Sequence, residues 1–222
     1  MIFAGSKENI KIHQTYVKEF YKGKIKVEFF PLDEIYKTCE ILVKLKDHIK
    51  TNNFILMFGN VIADPFLHRL AEIHISKEPI LTIAFNDKSK LDTKSPTVIP
   101  NQSSKEFIAI DEDSNNKIDN HPILHYSSEH FEEEDKSNFI SIPKLLLKQY
   151  PNLKIYSKFN DLGIYIFSKF VLEILVEKLD LLFDIKDDLI PYLVNNQLLS
   201  KFSGKFKLKK KKNTKKKNKM LI

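Results

Sequence analysis

Glycine is scarce in this chain, with five residues in 222, so there is little from which to build a Gly-rich phosphate loop, and none is present. Cysteine occurs once, at Cys39, which excludes an intrachain disulfide and fits a reducing compartment. Arginine also occurs once, at Arg69, against 35 lysines. Arginine supplies the planar fork that grips phosphate bidentately and lysine only a point charge, so the imbalance weakens any case for fork-like phosphate recognition. Long apolar runs are missing too. No window approaches the roughly 18 apolar residues of a membrane span, and the run from Met1 to Gly5 is too short for a signal peptide. A cytosolic protein without membrane contact is expected.

Acid is absent from one place in particular. Residues 201–222 hold eleven lysines and no Asp or Glu, leaving 25 basic against 29 acidic groups in the rest, so the body is mildly acidic under a net charge of +7. Any nucleic-acid contact therefore has only the tail behind it, as weak, sequence-blind attraction to RNA. That tail buries too little apolar surface to offset chain entropy and is expected to be disordered.

Hydrophobic residues make up 42% of the chain and include 17 phenylalanines, enough for one sizeable core and one domain with appendages. Continuous apolar or β-rich runs at Met1 to Ala4, Ile25 to Phe30, Phe54 to Phe58 and Ile80 to Phe85 predict buried parallel strands with helical patterns between them. Asp33 is expected to cap a helix whose Ile35, Cys39, Leu42 and Ile49 share a face, which makes Cys39 a core residue. Strand alternating with helix predicts βαβ crossovers and a three-layer α/β domain. Beyond it, Asn86 to Ser104 reads as a mobile surface insertion, Glu106 to Asp111 and Ile123 to Ser127 as strands, and Glu129 to Asp135 as a solvated acidic loop. A short helix with Pro143 in its first turn should end near Tyr150. Gly163 to Phe167 should form a buried strand, followed by a helix capped by Ser168 with Phe170, Val171, Ile174, Leu175 and Leu179 as its apolar stripe.

Candidate chemistry is thin. His121, His125 and His130 lie in a Pro-containing segment with no Cys partner and no helical spacing beside a carboxylate, so no metal site is expected from them. No Ser/His/Asp or Cys/His set can be argued from the order of residues. The most informative stretch is FILMFGNVIADPFLHRLAEIH, from Phe54 to His74. A strand runs into Gly59 and a tight turn, and the turn feeds a helix with Asp64 as N-cap and Pro65 at its first position. Ligands gather at such strand ends in open α/β sheets. Nucleotidyl transfer would place an aspartate after that glycine, because Mg²⁺ bridging triphosphate oxygens wants an anionic oxygen ligand. This chain has Asn60 there, whose amide lacks the charge.

These residues also carry a resemblance. The turn segment, EFIAIDE (Glu106 to Glu112), SIPKLLLKQYPNLKIYS (Ser141 to Ser157), DLGIYIFSKFVLEIL (Asp161 to Leu175) and DIKDDLIPYLVNNQ (Asp184 to Gln197) together resemble the gamma-subunit family of translation initiation factor 2B. That family lies within the sugar-phosphate nucleotidyltransferase-like superfamily. The resemblance implies a Rossmann-like, mostly parallel three-layer domain over residues 1–200. The leading strand and Gly-rich loop are expected to be absent, and the lysine tail to stand where the family continues into hexapeptide repeats. A sheet lacking a central strand is expected to fold poorly without partners.

The resemblance further implies a non-catalytic role without cofactor or metal. The family's gamma subunit pairs with a catalytic epsilon subunit in a larger complex that reloads the GTPase initiation factor 2. Asn60, Asp64, Asp161 and Gly163 would then mark the former nucleotide, metal and sugar side of the cleft. Asp187, Asp188, Leu189, Ile190, Pro191 and Tyr192 form the most specific family segment. Retention of Gly163, Ile164 and Tyr165 leaves two alternatives open, a functioning sugar-phosphate nucleotidyltransferase or a core strand.

Overall fold

The structure, a computed structural model, describes residues 1–61, 67–87, 104–111, 121–130 and 141–203. In chain order the elements are β1 (Ile2–Ser6), α1 (Lys7–Phe20), β2 (Glu28–Leu32), α2 (Thr38–Lys44), β3 (Asn53–Met57), α3 (Leu67–Lys77) and β4 (Leu81–Asp87). There follow β5 (Ser104–Asp111), β6 (Ile123–His130), α4 (Lys144–Gln149), β7 (Leu153–Tyr156), β8 (Phe159–Ser168), α5 (Phe170–Glu177), a π-helical turn (Ile185–Leu189) and α6 (Ile190–Ser203). Asp64, Pro65, most of the expected insertion, residues 131–140 and the tail beyond Ser203 lie outside the described residues. Helix α6 itself runs three residues into the lysine-rich segment.

The α/β class expected from the sequence is observed, but the pairing differs from a mostly parallel sheet. Strands β1 and β2 pair in parallel across the α1 crossover, with Ser6 capping α1 by accepting from the Asn9 N–H. The other two sheets, in the orders β3-β8-β4 and β6-β5-β7, pair antiparallel throughout. Both β3 and β4 run opposite to β8, so they are parallel to each other, as a βαβ crossover requires, with β8 inserted between them. A continuous apolar run reports burial on both faces and carries no direction. A strand arriving from 70 residues downstream leaves no local trace in the sequence around β3 and β4.

The core centres on β8. Ile164, Tyr165, Ile166 and Phe167 are all buried, matching the unbroken apolar run of a strand covered on both faces. Against it pack Val171, Leu172, Ile174 and Leu175 of α5, Leu189 and Ile190 at the π-turn junction, and Cys39 and Leu42 of α2. Each fully buried aliphatic or aromatic side chain of this kind contributes roughly 1.5–3 kcal/mol relative to exposure. Leu124 and Leu146 make a smaller cluster under α4. Strand β3 is less covered than its apolar run implies, since Ile55 and Met57 stay 45% and 42% exposed while Phe54 and Leu56 face the core.

Two helix starts depart from the sequence reading. Asp33 does not cap α2, because its carboxylate pairs with Lys7 at 2.7 Å and the helix begins five residues later, leaving Ile35 fully exposed. The first turn of α2 is held instead by the Glu40 carboxylate, which accepts from the Lys37 N–H. Helix α5 is capped at Lys169, not Ser168, whose N–H is used in donating to the Ile80 carbonyl as the last pairing of β8. Helix α4 is as expected, with Pro143 at its N-cap and Tyr150 at its C-cap.

Candidate functional site

The turn after β3 and the start of β8 emerge at the same end of their shared sheet. Met57 pairs with Ile164, and the Phe58 N–H donates to the Gly163 carbonyl at 3.1 Å, so Asn60, just past β3, and Asp161, within β8, lie toward the same end of neighbouring strands. Asn60 is exposed in a hydrogen-bonded turn. Gly59 beside it is not there for close approach, since a Cβ added to it would meet nothing within 4 Å. Asp64 belongs to the undescribed residues, so its expected capping role has no counterpart here.

Asp161 sits at a break in the β4–β8 ladder. Ile83 pairs with Tyr165 and Phe85 with Asp161, so three β8 residues lie opposite Ala84 alone. Inside that bulge Gly163 takes φ +67°, a left-handed conformation that costs a side-chain-bearing residue roughly 1–2 kcal/mol. Its Cβ would also fall 2.9 Å from Cδ2 of Phe58. The Asp161 carboxylate braces the bulge with both oxygens: Oδ1 accepts from the Gly163 N–H at 2.8 Å and Oδ2 from the Tyr165 hydroxyl at 2.5 Å.

Burial then dominates the electrostatics. It pushes the Asp161 carboxyl up from its ordinary range, against the opposing hydrogen bonds from Tyr165 and Gly163. The Tyr165 phenol is also raised, first by burial and then by the Asp161 charge beside it. Glu106 on β5 completes the group: its Oε2 accepts from the Asp161 N–H at 2.7 Å, and its Oε1 pairs with the Lys186 ammonium at 2.5 Å. The Tyr126 hydroxyl is buried with no hydrogen-bond partner among the described residues, and burial raises its phenol. Every carboxylate oxygen in this cluster is engaged by the chain itself. That is the chemistry of a brace rather than of an open metal or substrate site.

The DIKDDLIPY segment performs a related task. The Asp184 carboxylate caps the π-turn, with Oδ1 accepting from the Lys186 N–H, while Oδ2 accepts from the Thr38 hydroxyl of α2 at 3.0 Å. Thr38 Oγ1 in turn accepts from the Ile185 N–H, so α2 and the turn are laced in both directions. Asp188 accepts from the Phe183 and Asp184 N–H groups through Oδ2. Asp187 accepts from the Ser128 hydroxyl of β6 at 2.8 Å. Leu189 and Ile190 are wholly buried, Pro191 occupies the first turn of α6, where no backbone donor is needed, and Tyr192 lies under the Lys178 ammonium at 5.8 Å.

No family model matches the chain. Translation initiation factor eIF2B subunit gamma of Dictyostelium discoideum is 37% identical over 204 residues, which cover 87% of this chain and 43% of that protein. The chain is a relative of the eIF2B gamma subunit. It spans less than half the length of the curated relative it matches. Among solved structures, it is similar to HddC from Yersinia pseudotuberculosis at 16% identity and TM-score 0.42, over 78% of this chain and 57% of that one. A putative glucose-1-phosphate thymidylyltransferase from Bacillus anthracis follows at 11% and 0.47, over 80% of this chain and 55% of that one. An apo UDP-glucose pyrophosphorylase gives 11% and 0.48, over 88% and 67%. All three scores fall below 0.5.

In this gamma-subunit relative the structure brings Asn60, Asp161 and Gly163 to one end of the central sheet. It puts Asp187 to Tyr192 in a separate joint between α2, β6 and α6. Among the described residues no three His, Cys, Asp or Glu groups converge on a position that could hold a metal ion. His125 is buried in β6, His121 is half-buried before it, and the His130 side chain lies outside the description. Sequence reasoning missed Glu106 and Lys186. The signal available for Glu106 was an inward parity with Ile108 and Ile110 on β5, an acid where the alternation demands a buried residue.

Proposed function

We propose that this chain is a non-catalytic accessory subunit of the guanine-nucleotide exchange complex that reloads translation initiation factor 2 with GTP. It would act in the cytosol beside an epsilon-type catalytic subunit and the other subunits of the complex, without a cofactor or metal of its own. The relationship to the eIF2B gamma subunit supports the context. The observation that carries the absence of chemistry is the Asp161 carboxylate, whose two oxygens are spent on Gly163 and Tyr165 while Asn60 offers only a neutral amide to the same end of the sheet. Two-metal or single-metal phosphoryl chemistry needs anionic oxygens free to face the ion. The lysine-rich end adds weak, salt-sensitive contact with RNA.

The second reading, a sugar-phosphate nucleotidyltransferase, is favoured by the retained Gly163, Ile164 and Tyr165. Each of these also has a packing reason to persist: the bulge conformation for Gly163, complete burial for Ile164 and Tyr165. A pyrophosphate-release assay with a nucleoside triphosphate and a sugar phosphate separates the two. Release at the level of a heat-treated control is expected. Chelator-sensitive release above that level would establish the enzyme.

A further inference from the structure

Among the described residues, a cleft of about 810 Å³ opens between α3, β4, β5, β6, β8 and α6, with Ala84 and Leu162 of the β4–β8 bulge in its wall. Ile83 and Phe85 of β4, Ile110 of β5 and Leu193 of α6 line it, and its walls are predominantly apolar. Arg69, Ile73 and Lys77 border it from α3. They are spaced i, i+4, i+8, so they fall along one side of the helix and set two cations about 12 Å apart with an apolar residue between them. His121 lines it from the segment before β6, and none of its described lining residues is Asp or Glu. Arg69, the only arginine of the chain, is exposed and has no ion-pair or hydrogen-bond partner among the described residues.

The neutral polar groups of the cleft are already committed. Thr82 Oγ1 is held by His74 Nδ1 at 2.8 Å, and the Gln197 amide donates to the Ile123 carbonyl. What remains on offer is apolar contact and the Arg69 guanidinium. We propose that this cleft binds a long-chain monocarboxylate, a fatty acid, with the alkyl chain along Ile83, Phe85 and Leu193 and the carboxylate on the Arg69 guanidinium. The volume lies in the range of small-molecule sites, and a planar guanidinium suits a carboxylate bidentately. The proposal stands independently of the exchange-complex reading.

The probe is cis-parinaric acid, titrated into the full chain and followed by its fluorescence, with dodecanoate, dodecanol, dodecyltrimethylammonium and GTP as competitors. Saturable binding of one molecule per chain is expected, with dodecanoate displacing the probe at least tenfold more effectively than the other three. Arg69→Glu should weaken probe binding tenfold or more with an unchanged circular dichroism spectrum, because the side chain is exposed. Ile73→Glu, which sets a carboxylate between the two cations, should do the same. Non-saturable uptake, equal displacement by the alcohol, the cation or GTP, or wild-type affinity in a folded Arg69→Glu variant would each overturn the proposal.

Discussion

Replacing Gly163 by alanine tests whether the retained Gly-Ile-Tyr motif is kept for packing. Two costs add. The backbone at φ +67° penalises any Cβ by roughly 1–2 kcal/mol, and the new methyl would lie 2.9 Å from Phe58 Cδ2 and 3.2 Å from Val61 Cγ2. Overfilling a packed site of this kind costs typically about 1–3 kcal/mol, giving a loss of roughly 2–5 kcal/mol in all. For a chain of this size that corresponds to a fall in Tm of about 4–20 °C. The loss should be read by chemical denaturation at pH 7 beside thermal melting, with the slope m unchanged so that the midpoint alone reports the native state. Because Asp161 Oδ1 is anchored on the Gly163 N–H, the distorted bulge should also release the Tyr165 hydroxyl, visible as a shift in its near-ultraviolet signal. A Gly163→Ala protein within about 0.5 kcal/mol of the parent would refute this reasoning, and would return the glycine to a role in letting a ligand approach.

Other consequences concern charge. Burial raises the Asp161 carboxyl above its ordinary 3.8, so its contribution to stability is complete below that pH and is lost as pH rises through the folded value. Asp161→Asn should therefore be at least as stable as the parent at pH 7 and lose that advantage at pH 3.5, measured as urea midpoints; a strong loss at pH 7 would contradict the assignment. Burial holds His74 and His125 below the ordinary 6.5, in His125 against an opposing contact with Asn195. The unfolded chain takes protons first, so their contribution is full above pH 6.5 and lost as pH falls below it, and His125→Phe should flatten part of the resulting fall in midpoint between pH 7 and 5.5. Lys186→Met leaves the Glu106 carboxylate buried without its cation and should cost about 3 kcal/mol. Glu106→Gln in the same background should recover part of that loss.

Much of the fold was legible because burial writes itself into composition. The runs at Phe54, Ile80 and Gly163 are strands because continuous apolar runs of that length seek a sheet, although only the last is buried on both faces, and Cys39 is core as its helical spacing implied, its thiol pushed up to about 12 by burial. Strand direction was not legible, because β8 reaches its place between β3 and β4 through contacts far apart in sequence. The four-residue β7 was too short to show a period. At the site, Asn60 stood out from local chemistry and Asp161 only through the family resemblance, and the hydrogen bonds Asp161 makes were not legible at all. Its partners Gly163 and Tyr165 are near in sequence, but Glu106 lies 55 residues away and is joined to Asp161 only by the meeting of two sheets. Asp187 and Asp188 stood out as a motif, yet what they do, anchoring a turn to Ser128 and to the Phe183 and Asp184 amides, depends on geometry that spacing does not encode.

The central claim, that the chain works as an accessory subunit and performs no transfer chemistry, is tested most directly by co-expression with an epsilon-type exchange-factor subunit, followed by size exclusion and GDP release from initiation factor 2. The account predicts a higher soluble yield than for the chain alone, one joint peak, and faster GDP release from the pair than from the epsilon-type subunit by itself. A cooperatively melting monomer that elutes apart from that subunit and leaves its exchange rate unchanged would contradict it.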